Sequence, residues 1–335
     1  MATSGCGLGM SGQGGVGPMA ESSSSGGPSS SGGVISSGGS SSSDSGGLSD
    51  STGTRSDAGP TDPEVAYAVT LKMDSFNVGA GQEVFMCQDF ANPFQGQQAD
   101  IKTYELHMAQ GSHHMLAFYK VGATDGSVEP CPLGGLQFGP FTFSSQSPNV
   151  SVTYPEGVGA TIPSDTGFTL NAHYTNPGTT SITGQLSLTM YVAKPGLVTQ
   201  HAGILFLNQI SLVVPPGASA SSPYTSTATY ELLQDVNILA TNGHMHQRAL
   251  DFVATTSKGQ TLYQTSDWSE APNMIYSPPL HLAAGTSITW SCTYTNDTVF
   301  PLVFGEYAQT NVMCISASGF YPVQDVRHPV INVFR

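Results

Sequence analysis

Apolar and polar residues alternate with a period of two in several short segments of this chain. No segment carries an apolar stripe of helical period longer than two turns. Val65, Tyr67, Val69, Leu71 and Met73 interleave with Ala66, Ala68, Thr70 and Lys72, the pattern of a strand with one face in a core. Similar alternation runs through residues 168–174, 186–192 and 286–294. Turn signals separate these runs, among them Asn176-Pro177-Gly178, Pro215-Pro216-Gly217 and Asn296-Asp297. Many short strands with Gly/Pro punctuation predict an all-β chain built as two antiparallel, jelly-roll-like β-sandwiches.

The first sixty residues break the pattern. Residues 21–51 are almost entirely serine and glycine, which cannot bury enough apolar surface to offset the entropy of ordering. Residues 1–62 are therefore expected to be a disordered tether. A break near Ala193-Lys194-Pro195-Gly196 divides the remainder into residues 63–195 and 196–335, each long enough for one domain.

The chain holds 9 Lys+Arg against 23 Asp+Glu, a net charge of −14. That balance argues against nucleic acid as a partner and against docking on anionic membranes. Charged residues make up only 10% of the chain, a composition closer to exported β-proteins than to cytosolic helical enzymes. No run approaches the roughly 18 apolar residues that a spanning helix needs.

Five cysteines are present, one of them, Cys6, in the tether. Cys87, Cys131, Cys292 and Cys314 admit three pairings, and proximity favours Cys87–Cys131 with Cys292–Cys314. Cys6 follows Thr3-Ser4-Gly5 and precedes a Ser/Gly tether, an arrangement similar to the processing site of bacterial lipoproteins. Only five residues stand before it, too few for the basic and apolar regions of such a signal. A lipid anchor at Cys6 and an extracellular or cell-envelope location are expectations of this reading.

The chemistry-bearing residues are histidines. His113 and His114 are adjacent, and His244 and His246 are separated by one residue. On a strand, side chains at i and i+2 face the same way, so His244 and His246 can converge on one ion. Neighbours on a regular strand point to opposite faces, so joint ligation by His113 and His114 requires a bulge or a strand end. Gly111-Ser112 supplies such an irregularity. His173, sharing a strand face with Thr169 and Asn171, is the best third ligand for the first pair. For the second pair His281 and His328 are candidates, but Met313, beside Cys314, is chemically more interesting, because a thioether favours copper. Two pairs so far apart suggest two metal sites. His107, His201, His281 and His328 read as ordinary residues.

The order of these pieces resembles the copper type II, ascorbate-dependent monooxygenases, the group of peptidylglycine α-hydroxylating monooxygenase and dopamine β-monooxygenase. The resemblance is dispersed over residues 65–325. It is carried by His113-His114-Met115-Leu116, Pro155-Glu156-Gly157-Val158-Gly159, Leu170-Asn171-Ala172-His173-Tyr174, Val214-Pro215-Pro216-Gly217, Gly243-His244-Met245-His246, Cys292-Thr293-Tyr294 and Val312-Met313-Cys314. It implies two β-sandwich domains facing each other across an open cleft. His113, His114 and His173 would hold an electron-transfer copper, and His244, His246 and Met313 an oxygen-binding copper. Cys87–Cys131 and Cys292–Cys314 are consistent with family disulfides. The implied reaction hydroxylates a C–H bond of a small-molecule substrate with O2 and ascorbate or a similar one-electron reductant. The alternative is a cell-surface protein that binds or scavenges copper without turnover.

The departures concern substrate. The arginine that peptide-amidating members carry two residues before the first histidine of the oxygen site is Asn242 here. The asparagine and tyrosine that follow their Met-Cys pair correspond to Ile315 and Ala317. Peptide amidation is therefore not expected.

Overall fold

The computed structural model describes residues 54–56, 62–132 and 139–335. Cys6 and the greater part of the expected tether lie outside these residues. The described elements are strands, and the chain is all-β. Among them no helix is long and apolar enough to cross a membrane.

Two sheets sandwich the first core. One has seven strands: Thr54–Ser56, Val65–Lys72, Leu186–Ala193, Ala99–Met108, Val158–Ile162 and Gln200–His201 in order, with Asn149–Thr153 also pairing to Ala99–Met108. The other has five: Glu129–Pro130, Glu83–Phe90, Thr166–Thr175, Ser112–Val121 and Phe141–Ser145. Leu71, Leu106, Phe168, Leu170 and Leu188 meet between them, as the alternation in those segments requires. Thr54–Ser56 belonged to the expected tether. Instead it adds an edge to the sheet, Thr54 opposite Thr70, where the open backbone groups of Val65–Lys72 offer it hydrogen bonds.

The second core lies between a five-stranded sheet and a four-stranded one. The order in the first is Met274–Leu282, Val236–Met245, Cys314–Tyr321, Gly203–Asn208 and Val330–Phe334. In the second it is Tyr224–Glu231, Ser287–Tyr294, Ala249–Thr256 and Thr261–Thr265. Trp290, Phe252, Tyr294 and Phe320 fill the space between. Pairing is mainly antiparallel. Among the described strands two pairs are parallel, Val158–Ile162 with Gln200–His201 and Gly203–Asn208 with Val330–Phe334, each joining strands that long connections bring round in the same direction.

The two disulfides are Cys87–Cys131 and Cys292–Cys314. Cys314 opens the strand Cys314–Tyr321, so the second bridge anchors the segment that begins with Met313.

The five-stranded sheets of the two halves face each other. Phe118, Phe141 and Ile204 are buried together, with Leu116, Phe206 and Val330 packed against them, and Phe141 meets Phe206 edge-on at 5.2 Å. Arg327 reaches both carboxylate oxygens of Asp165 at 3.0 Å. These contacts hold the histidine-bearing faces together.

Candidate metal centre

His113 and His114 point to the same region because the strand carrying them is irregular where the sequence suggested. Against Thr166–Thr175, His114 pairs with His173 while Ser112 pairs with Tyr174, so His113 is the extra residue of a bulge. Gly111 precedes it with φ +89°, and a Cβ there would lie 2.3 Å from Ile182 Cδ1. Only glycine makes that turn without strain.

His173 occupies a strand buried on both faces. Phe168, Leu170, Ala172 and Tyr174 enter the first core. The opposite face carries Thr169, Asn171 and His173, as the period of two predicts. His173 stacks on Phe85 at 4.0 Å and bonds through Nε2 to Glu83 Oε1 at 2.7 Å. Its Nδ1 has no hydrogen-bond partner.

His244 lies on Val236–Met245 and His246 just beyond it, two residues apart on one side, while Met245 between them enters the second core. Gly243 lets this strand approach its neighbour, since a Cβ would lie 2.5 Å from Phe252 Cδ1. His246 Nδ1 donates to the Asn311 carbonyl at 3.3 Å, leaving Nε2 unpartnered. His244 Nδ1 donates to Gln146 Oε1 at 3.1 Å. His244 pairs with Ile315 and Met245 with Cys314, so Met313, the residue before Cys314, lies at the end of the strand pair that carries His244. Met313 is buried, and its carbonyl accepts the Tyr294 hydroxyl at 2.5 Å.

The rings of both expected sets gather in one buried cluster, and no open cleft separates them. Ring centroids lie 4.8 Å apart for His114 and His173, 5.0 Å for His113 and His173, and 5.3 Å for His244 and His246. Between the sets His113 and His244 lie 5.0 Å apart, His114 and His244 5.1 Å, and His113 and His246 5.8 Å. His113, His114 and His244 offer nitrogens that all lie within 4.8 Å of one another. Imidazoles bonded to one ion at about 2 Å, with tetrahedral angles, place their centroids roughly 5 Å apart. The observed spacing suits shared ligation.

The electrostatics agree. Burial lowers the pKa of every one of the five rings, to about 4 for His113 and about 3 for His246, and well below the ordinary value for His114, His173 and His244. For His113 the Ser269 backbone opposes part of the effect. The rings are neutral at neutral pH, and their lone pairs are available. Nδ1 of His114, Nδ1 of His173, Nε2 of His246 and one nitrogen of His113, whose ring also faces the Ser269 backbone, are buried without a hydrogen-bond partner. Each such atom costs about 1–3 kcal/mol unless something satisfies it. A soft or borderline cation fits this donor set.

Three residues the sequence reading missed orient the rings: Glu83, Gln146 and Asn311. They are single polar residues far from the histidines in sequence, and no spacing rule selects them. His107, His201, His281 and His328 bond instead to Asn149, Thr161, Asn237 and Asp325.

A cavity of about 660 Å³ adjoins the cluster between the two halves, with His114, His244 and Met313 in its wall. Phe118, Phe141, Phe206, Tyr276 and Phe304 line its apolar part. Asn242, Ile315 and Ala317 line it too. Among the described lining residues there is no lysine or arginine, and Glu306 is the single acidic one.

No protein-family model and no curated protein matches the sequence. Among solved structures the chain is similar to the major capsid protein P2 of bacteriophage PM2, with 8% identity over 76% of this chain and 97% of that one, at a TM-score of 0.32. It is also similar to the VP2 subviral particle of infectious bursal disease virus, with 11% identity over 78% and 73% of the two chains, at a TM-score of 0.16. Likenesses this weak carry no argument about chemistry.

Proposed function

We propose that this protein is a copper-dependent monooxygenase that hydroxylates a C–H bond of a small, largely apolar substrate, using O2 and an ascorbate-like reductant. The observation that carries the reading is the convergence of five neutral imidazoles, four of them with buried unpartnered nitrogens, beside a cavity that Met313 also lines. Bound copper would supply one-electron exchange with the reductant and with dioxygen, the chemistry that C–H hydroxylation requires.

The chain's own groups divide the remaining work. His113, His114 and His173 offer three uncharged nitrogens. Glu83 accepts the Nε2 proton of His173 and so reserves Nδ1 as the donor atom. Asn311 does the same for His246, reserving Nε2. Met313 adds a thioether, which favours the cuprous state. The aromatic residues of the wall give a bound substrate an apolar surface to pack on. With no cationic side chain among the described lining residues, a carboxylate entering it would find no counter-ion there. The substrate class is therefore one without a carboxylate at the reacting end. The two disulfides fit an oxidising compartment, consistent with an extracellular or cell-envelope protein.

The test is oxygen uptake and peroxide release by copper-loaded protein given ascorbate, in the wild type and in Met313→Ile. The reading expects ascorbate-dependent uptake that Met313→Ile sharply lowers while copper stays bound at His113 and His114. A protein that retains copper but consumes no oxygen is a copper-binding protein without turnover. A fully active Met313→Ile variant overturns the assignment of the oxygen site.

A further inference from the structure

His113 and His114 belong to the first half and His244 to the second, yet their ligand nitrogens all lie within 4.8 Å of one another. A second observation concerns the orientation of His244. Gln146, a first-half residue only 4% exposed, accepts His244 Nδ1–H and donates its own Nε2–H to the Trp268 carbonyl at 2.6 Å. The tautomer of His244 is thus set by the half to which it does not belong, and Nε2 remains its lone-pair nitrogen.

We propose that His113, His114 and His244 form a single-ion site that staples the two halves together, with His244 shared between the two histidine sets. The inference rests on reading these histidines as metal ligands. An ion held by ligands from both halves binds the closed arrangement better than a separated one, and by that difference it shifts the equilibrium toward closure.

The experiment uses the full chain and Zn(II), a redox-silent probe, titrated against a chromophoric competitor. Hydrogen exchange at residues 112–114 and 304–311 is followed in parallel. His244→Ala is expected to weaken the first equivalent at least about tenfold and His173→Ala less than about threefold. Gln146→Ala, which leaves every ligand in place, is expected to weaken it about tenfold. One equivalent should slow exchange in both segments. Unchanged first-equivalent affinity in both His244→Ala and Gln146→Ala overturns the staple, as does protection confined to one segment. A wild-type chain that binds neither Zn(II) nor copper would instead overturn the metal reading beneath it.

Discussion

Glu83 and His173 are joined by a 2.7 Å hydrogen bond from ring Nε2 to carboxylate Oε1, and the same oxygen receives the Ala308 amide of the opposite half at 2.6 Å. Burial raises the Glu83 pKa, while the Ala308 and Gln309 amides pull it down. One carboxylate therefore orients a ligand of the first set and anchors the loop whose Asn311 carbonyl orients His246. Replacing Glu83 by alanine should lower the affinity for a second copper equivalent, the one that needs His173 and His246, about 10–100-fold. Glu83→Gln, whose side-chain oxygen still accepts both bonds, should lose less. Competition with a copper chelator checks the order, and equal losses would deny the orienting role.

Met313 is buried and directly precedes Cys314, the partner of Met245. Met313→Ile conserves volume, so its stability cost should stay below about 1.5 kcal/mol. Its turnover should nonetheless fall by about 100-fold or more, a barrier increase of about 2.7 kcal/mol. Thermal melting beside oxygen uptake separates the two effects, and parallel losses would point to a packing role alone.

Removing the Cys292–Cys314 bridge, with a sequence separation of 22, should cost about 3 kcal/mol in the chain-entropy account. For a chain of this size that is a fall of about 6–12 °C in Tm. Because Cys314 adjoins Met313, copper affinity should fall as well. The Cys87–Cys131 bridge, with a separation of 44, should cost slightly more stability, about 4 kcal/mol. Melts of the paired Cys→Ser variants check both values.

Metal-free protein should lose stability on mild acidification. The five imidazoles have folded pKa values below their unfolded value near 6.5. Above that pH both states leave them neutral, and their contribution is fully present. Below it the unfolded chain takes up protons that the folded chain refuses, so stability falls until the folded groups protonate, at about 4 for His113 and about 3 for His246. At pH 5.5 each ring costs about 1.4 kcal/mol. Asp165, held low by Arg327, contributes only at more acid pH, so the windows are separable. A Tm in chelator that stays flat from pH 7.5 to 5.5 would contradict the buried, neutral cluster.

Much of this was legible in the sequence because strands impose a strict period. Alternation in Val65–Lys72 and Thr166–Thr175 located both faces of the first sandwich, and with them the side of the strand that presents His173. Adjacency of His113 and His114 demanded a backbone irregularity, and the bulge lies there. Cysteine proximity pointed to the two bridges that form. The closeness of the two histidine sets was not legible. It depends on how two separately cored halves pack, through contacts such as Phe141 with Phe206 that are 65 residues apart in sequence and obey no period. Glu83 and Gln146 escaped because each is an isolated polar residue: Glu83 meets His173 through the pairing of two strands of the first half, and Gln146 meets His244 only once the halves pack.

The most direct test of the central claim is copper K-edge X-ray absorption on the cuprous, desalted full chain, with the metal content of the same sample. The account predicts about two coppers per chain, imidazole nitrogens around them, and a sulfur scatterer that disappears in Met313→Ile. A chain that retains no copper, or a spectrum without sulfur, would contradict it.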